Sequence, residues 1–111
     1  MNYRIYYVKP EARRELGWGD VLPQLDRLFK THVFLRSFEG LNLEHVFEYF
    51  NIGWPSEESQ PLIRAKGLGH TSMSVGDVVE DANGHFWVVA PVGFTQLHDA
   101  KRQEQIGRAH V

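Results

Sequence analysis

Four residues stand close enough together to suggest chemistry: His70, Ser72, Ser74 and Asp77, within the run Gly69-His70-Thr71-Ser72-Met73-Ser74-Val75-Gly76-Asp77. A serine, an imidazole and a carboxylate are the ingredients of nucleophilic hydrolysis. They serve only if the base reaches the serine, the carboxylate stands behind the base and donors await the oxyanion. Triads usually gather such groups from separated segments, whereas here all of them fall on one short stretch, and no Gly-x-Ser-x-Gly elbow is present. Turn chemistry accounts for the same residues. Gly76-Asp77 can reverse the chain into a strand, and Ser72 and Ser74 can bond neighbouring backbone groups. The run therefore reads first as structural and the protein as no enzyme, with no catalytic residue assigned. A small ligand-binding or hydrolytic domain centred on His70, Ser72, Ser74 and Asp77 is the alternative.

Two other chemistries are weaker. His70, His85, His98 and Asp77 are ligand types that suit zinc, but the histidines are scattered, with no His-x-His or His-Glu-x-x-His spacing. Gly67-Leu68-Gly69-His70-Thr71-Ser72 is glycine-rich and hydroxyl-bearing, yet it lacks the lysine of a phosphate-binding loop and leads into β rather than a helix. Neither a metal nor a cofactor is expected.

Charge distribution points elsewhere. Residues 37–60 hold Glu39, Glu44, Glu48, Glu57 and Glu58 and no lysine or arginine, a formal −5. Tyr49 and Trp54 lie in the same stretch, off the inward stripe set by Phe47 and Phe50. Glu44 and Glu48 repel at i,i+4 with no return for the fold. An acidic face with an aromatic anchor suits docking on a basic protein surface, where charge steers encounter and the ring supplies local affinity. Glu44, Glu48, Tyr49, Trp54, Glu57 and Glu58 are the expected partner-binding residues.

These groups must be carried by a small fold. The chain has 111 residues, 42% hydrophobic, 13% aromatic and 23% charged, which fits one globular domain. Its 12 Lys+Arg against 14 Asp+Glu argue against a nucleic-acid binder, although Arg13, Arg14, Arg27, Lys30 and Arg36 could gather on one side. The absence of cysteine excludes disulfides and thiol chemistry. No apolar run reaches membrane-spanning length and no signal-peptide layout opens the chain, so a cytoplasmic location is expected.

Alternation predicts a strand over residues 2–8, with Tyr3, Ile5 and Tyr7 on one face. Asp20, Pro23 and the apolar set Val21, Leu22, Leu25, Leu28 and Phe29 predict a helix from about Val21 to Lys30. Residues 32–38 read as a strand. A second helix spans about Leu43 to Asn51, capped by Asn42. Residues 54–61, Trp-Pro-Ser-Glu-Glu-Ser-Gln-Pro, read as a flexible polar loop, and 62–66 as a strand. Strands follow at 78–80, 85–90 and 92–97, the first two joined through Asn83-Gly84. The order β-α-β-α-β-β-β predicts an α+β domain, a small mainly antiparallel sheet with two helices packed on one face.

The segment from Gly69 through Val75-Gly76-Asp77-Val78-Val79 to Gly84 and Gly93-Phe94 resembles the YodL-like domain of small bacterial proteins from plasmids, phages and integrative elements. Met73 stands where that pattern usually has Leu, and Val79 where it has Ile, swaps that keep volume and apolarity. The resemblance covers roughly Gly69–Phe94. It implies a cytoplasmic accessory protein of a mobile element acting on a host or plasmid protein, and it carries over no catalytic residue. Oligomeric state and source stay open.

Residues 1–98 are expected to form the domain and 99–111 a polar tail. The final Ile106-Gly107-Arg108-Ala109-His110-Val111 matches the peptide made when a reading frame runs through a common sequencing adapter. That segment is therefore expected to be non-native, from an assembled or metagenomic read, with the true C-terminus elsewhere.

Overall fold

A computed structural model describes residues 1–98 of the chain; the tail 99–111, with its expected read-through segment, lies outside the described residues. Five strands form one antiparallel sheet: β1 (Asn2–Val8), β2 (His32–Glu39), β3 (Val78–Glu80), β4 (Phe86–Val89) and β5 (Phe94–Leu97), in spatial order β2-β1-β3-β4-β5. Four helices accompany them: α1 (Arg13–Leu16), α2 (Leu28–Thr31), α3 (Leu43–Glu48) and α4 (Ser56–Ala65). The α+β class and antiparallel sheet are as the sequence predicts. Among the described residues, no helix is long and apolar enough to cross a membrane.

The alternation in β1 decides how the layers form, because successive side chains point to opposite faces. Tyr3, Ile5 and Tyr7 join Leu35, Val79 and Val89 beneath Val46 of α3, Phe50, and Ile63 of α4. On the other face Val78, Val88 and Leu97 pack with Leu28 of α2, and Tyr6, Leu25 and Phe86 border them. A register shift in the β1–β2 pairing between Ile5 and Tyr6 opposes Arg36 and then Phe34, leaving Leu35 as the bulged residue that fills the helix-covered core.

Two helices do pack on one face; α3 is one of the two expected, and the other is not the helix expected at 21–30. Residues 21–30 do not form one helix. A 3-10 turn at Leu25–Arg27 precedes the single turn of α2. Gly19 takes φ +96°, and Pro23 disfavours helical backbone at Leu22. Asp20 accepts the Trp18 N–H at 3.3 Å rather than capping a helix. Phe29 consequently stands 71% exposed instead of on a buried stripe.

The second helix of the packed pair is α4, in place of the expected loop at 54–61 and strand at 62–66. It escaped the sequence pattern because its inward positions include the small polar Ser59, buried one turn before Ile63. Pro61 interrupts the pattern but lies on the exposed side, where the carbonyl it leaves unbonded can meet water. Glu57 and Glu58 fall in the first turn, the favourable end of the helix dipole for acids.

Helix α3 starts where expected: the Asn42 side chain accepts the His45 N–H at 2.8 Å. It widens into a π turn over Tyr49–Gly53, where the Asn51 amide donates to the Phe47 carbonyl at 2.8 Å. The β3–β4 reversal is broader than a bare Asn-Gly turn. Gly84 alone has positive φ (+80°), while Asp81 Oδ1 accepts N–H bonds from Asn83 and His85 at 2.9 and 3.0 Å.

Candidate functional site

The run 69–77 folds around one carboxylate. Asp77 is fully buried at the entry to β3. Its Oδ1 accepts the Val8 N–H at the end of β1 (2.9 Å), and its Oδ2 accepts the Ser74 N–H (2.7 Å). His70 Nε2 lies 3.0 Å from Oδ2 and 3.3 Å from Oδ1. A buried carboxylate is tolerated when donors surround it in this way. The Asp77 N–H closes back on the Ser74 carbonyl at 3.0 Å, a tight turn whose third residue, Gly76, has φ +95°. A Cβ at Gly76 would stand 2.9 Å from Arg13 Nη1.

Other elements brace the turn. Arg13 of α1 sends Nη1 to the Val75 carbonyl (2.6 Å) and the Gly17 carbonyl (3.1 Å), and its guanidinium stacks on Trp18 at 3.7 Å. Burial lowers its pKa while the Asp77 charge opposes that shift. His32 is buried between the Thr31 hydroxyl and the Gly76 carbonyl, each 2.7 Å from a ring nitrogen. Burial holds its pKa below the ordinary imidazole value, although the Gly76 bond and the charge of Asp77 pull the other way. Tyr7 stacks on the His70 ring at 4.6 Å and donates its hydroxyl to the Thr71 carbonyl at 2.8 Å. Burial, helped by Asp77, pushes the Tyr7 phenol far up.

His70 and Asp77 are therefore brought together, and the serines are not joined to them as a triad. Ser74 Oγ donates to the Ser72 carbonyl at 3.2 Å, and neither serine hydroxyl bonds His70. Asp77 meets Ser74 through the backbone N–H. His85 sits instead by Asp81, at 3.9 Å. Among the described residues no group of three or more His, Asp or Glu is placed to hold a metal.

The acidic stretch divides into two kinds of residue. Glu44, Glu48, Glu57 and Glu58 are exposed. Tyr49 and Trp54 are half-buried, and they work as packing. Tyr49 stacks on Phe38 at 4.4 Å, and Trp54 meets Phe50 edge-on at 4.9 Å with its Nε1 buried and unpartnered. The exposed ring is Phe47, expected on the inward stripe but 38% exposed and edge-on to Phe94 at 6.3 Å. Helix α3 approaches the β4–β5 end of the sheet there, leaving an open groove of about 740 Å³. Leu43, Phe47, Trp87, Pro91 and Phe94 line it, and Glu44 stands beside them. The indole of Trp87 is anchored by donating to Asp81 Oδ2 at 3.0 Å. Burial alone would raise the Asp81 carboxyl; this bond and the backbone N–H groups of His85 and Asn83 hold it below the usual range instead.

Sequence reasoning missed Arg13, His32 and Tyr7 as braces of the turn, and Leu43, Trp87, Pro91 and Phe94 as groove walls. A buried-strand pattern marks Trp87 and Phe94 as apolar, but no local spacing joins them to α3. Set beside known proteins, the chain matches no family model, no curated protein and no solved structure.

Proposed function

We infer that this protein is a non-enzymatic docking module that binds a short basic-apolar segment of a partner protein in the groove between α3 and the β4–β5 end of the sheet. The observation that carries the reading is the pairing of an open apolar groove with an acidic helix. Phe47, Trp87 and Phe94 offer ring surface for an apolar anchor, and exposed aromatic pockets of this kind concentrate binding energy. Glu44 lines the groove, Glu48 follows one turn later on α3, and residues 37–60 carry −5 with no lysine or arginine. A partner with lysine or arginine flanking a bulky apolar residue matches both features. Glu57 and Glu58 extend the negative field along α4, while Tyr49 and Trp54 fix α3 and α4 to the sheet. The resemblance of residues 69–94 to YodL-like domains agrees with an accessory role for a mobile element, and a host or plasmid protein in the cytoplasm is the partner class we propose.

Selection from a random peptide library tests the reading. The expected winners carry basic residues around a large apolar one, and they lose binding to Phe47→Ser and to the double variant Glu44→Lys/Glu48→Lys. Winners without basic residues, or winners indifferent to both variants, would refute it.

A further inference from the structure

A second depression, of about 450 Å³, opens between α4 and the loop 68–74 and shares no lining residue with the groove. Its apolar part is Ile63 and Leu68, both buried. Its polar part is Gln60 and Arg64 of α4 with His70, Thr71, Ser72 and Ser74. Arg64 is exposed and has no carboxylate partner among the described residues.

The state of His70 follows from Asp77. A carboxylate only accepts, so the hydrogen shared at 3.0 Å belongs to His70 Nε2. The neutral ring then carries its lone pair on Nδ1, which has no partner among the described residues. The side chain keeps 22% of its surface exposed and lines the depression. Stacking on Tyr7 at 4.6 Å and 13° sets the plane of the ring, the Asp77 bond selects which nitrogen faces it, and the Tyr7 hydroxyl is itself tied to Thr71. Asp77 already receives a backbone N–H on each oxygen. His70 is thus an oriented hydrogen-bonding edge beside an unpaired guanidinium, over a small apolar floor.

We propose that this depression binds a small phosphate monoester. One oxyanion edge pairs with Arg64, a hydroxyl such as that of Ser72 donates to a second oxygen, and the third phosphate oxygen shares a proton with His70 Nδ1. The organic portion rests on Ile63 and Leu68. A carboxylate ligand has no donor for Nδ1 at neutral pH. A phosphate monoester retains a P–O–H in its monoanion, which donates to Nδ1 while its other oxygens meet Arg64 and a hydroxyl. No bond to phosphorus is made or broken, and no serine is placed to attack it.

The test uses glycerol 3-phosphate, inorganic phosphate and acetate with the full chain, read by ring-nitrogen NMR of histidine and by the Arg64 side-chain signal. The free protein should show His70 as the Nε2–H tautomer. Glycerol 3-phosphate should move the His70 and Arg64 signals saturably, inorganic phosphate more weakly, and acetate not at all. Arg64→Gln, an exposed substitution that leaves the fold intact, should weaken binding at least about tenfold, the loss of one charge-assisted contact. An Nδ1–H tautomer, no saturable shift with the monoester, equal response to acetate, or binding unchanged in Arg64→Gln would each overturn the proposal.

Discussion

Replacing Asp77 by asparagine isolates what the buried carboxylate contributes, because the side chain keeps its shape and loses its charge. Three donors converge on it: the Val8 N–H at 2.9 Å, the Ser74 N–H at 2.7 Å and His70 Nε2 at 3.0 Å. An amide offers one oxygen, so either orientation turns its NH2 toward one of the two backbone N–H groups. That group is then buried without an acceptor, and a charge-assisted bond is lost. Together these cost about 3 kcal/mol, at the lower end of the range for breaking a buried charged pair. With a total stability of order 5–15 kcal/mol the variant still folds at room temperature. The thermal midpoint should fall by about 12 °C. The urea midpoint should fall by about 2 M, on a slope of about 1.5 kcal/mol/M. Tryptophan fluorescence during urea titration measures this. Amide exchange should locate the largest loss of protection at Val8 and Ser74. Ser72→Ala, on the exposed part of the same turn, should stay within about 0.5 kcal/mol and serves as the control. A urea midpoint for Asp77→Asn within about 0.5 M of the parent would refute the view that this carboxylate holds the end of β1 to the turn.

Other consequences follow from the same geometry. Gly76→Ala places a Cβ 2.9 Å from Arg13 Nη1 at φ +95°, and should cost about 1–3 kcal/mol in the same titration. Loss below about 0.5 kcal/mol would mean that neither the backbone nor Arg13 is constrained there. Asn42→Ala removes the acceptor for the His45 N–H and should cost about 1 kcal/mol, with helical signal lost first at residues 43–48. Burial depresses the His32 pKa, so the unfolded chain takes the proton first. Stability should therefore be flat above about pH 6.5 and decline as pH falls below it, toward the folded-state value. In His32→Gln the decline between pH 6.5 and 5 should be shallower than in the parent. An equal slope would place the titration on another group.

The parts of this fold that the sequence announced are those whose burial repeats locally. Tyr3, Ile5 and Tyr7 alternate along one strand and are buried on one face, and Asn42 ahead of Leu43, Val46 and Phe50 marks a capped helix without ambiguity. Where burial is not apolar, the pattern failed. Helix α4 turns Ser59 inward beside Ile63 and carries Pro61 outward, so it reads as a loop. Residues 21–30 are apolar without being buried as a stripe, so they read as a helix. The candidate sites were legible only in part. His70 and Asp77 fall in one short run that the sequence marks as a turn, but the role of Asp77 as acceptor for Val8 depends on residues 69 positions apart. The Arg13 bond to Val75 spans 62 positions. The groove joins α3 to β4 and β5, and the stacking that draws Tyr49 inward leaves Phe47 as the exposed ring.

The docking surface is tested most directly by amide NMR of the full chain titrated with a library-selected basic-apolar peptide at low and high salt. Saturable shifts should cluster at Leu43, Glu44, Phe47, Trp87 and Phe94, with affinity falling as salt screens the acidic helix. Shifts clustered around Phe29 of α2, the helix on the other face of the sheet, or binding indifferent to salt, would refute the proposed surface.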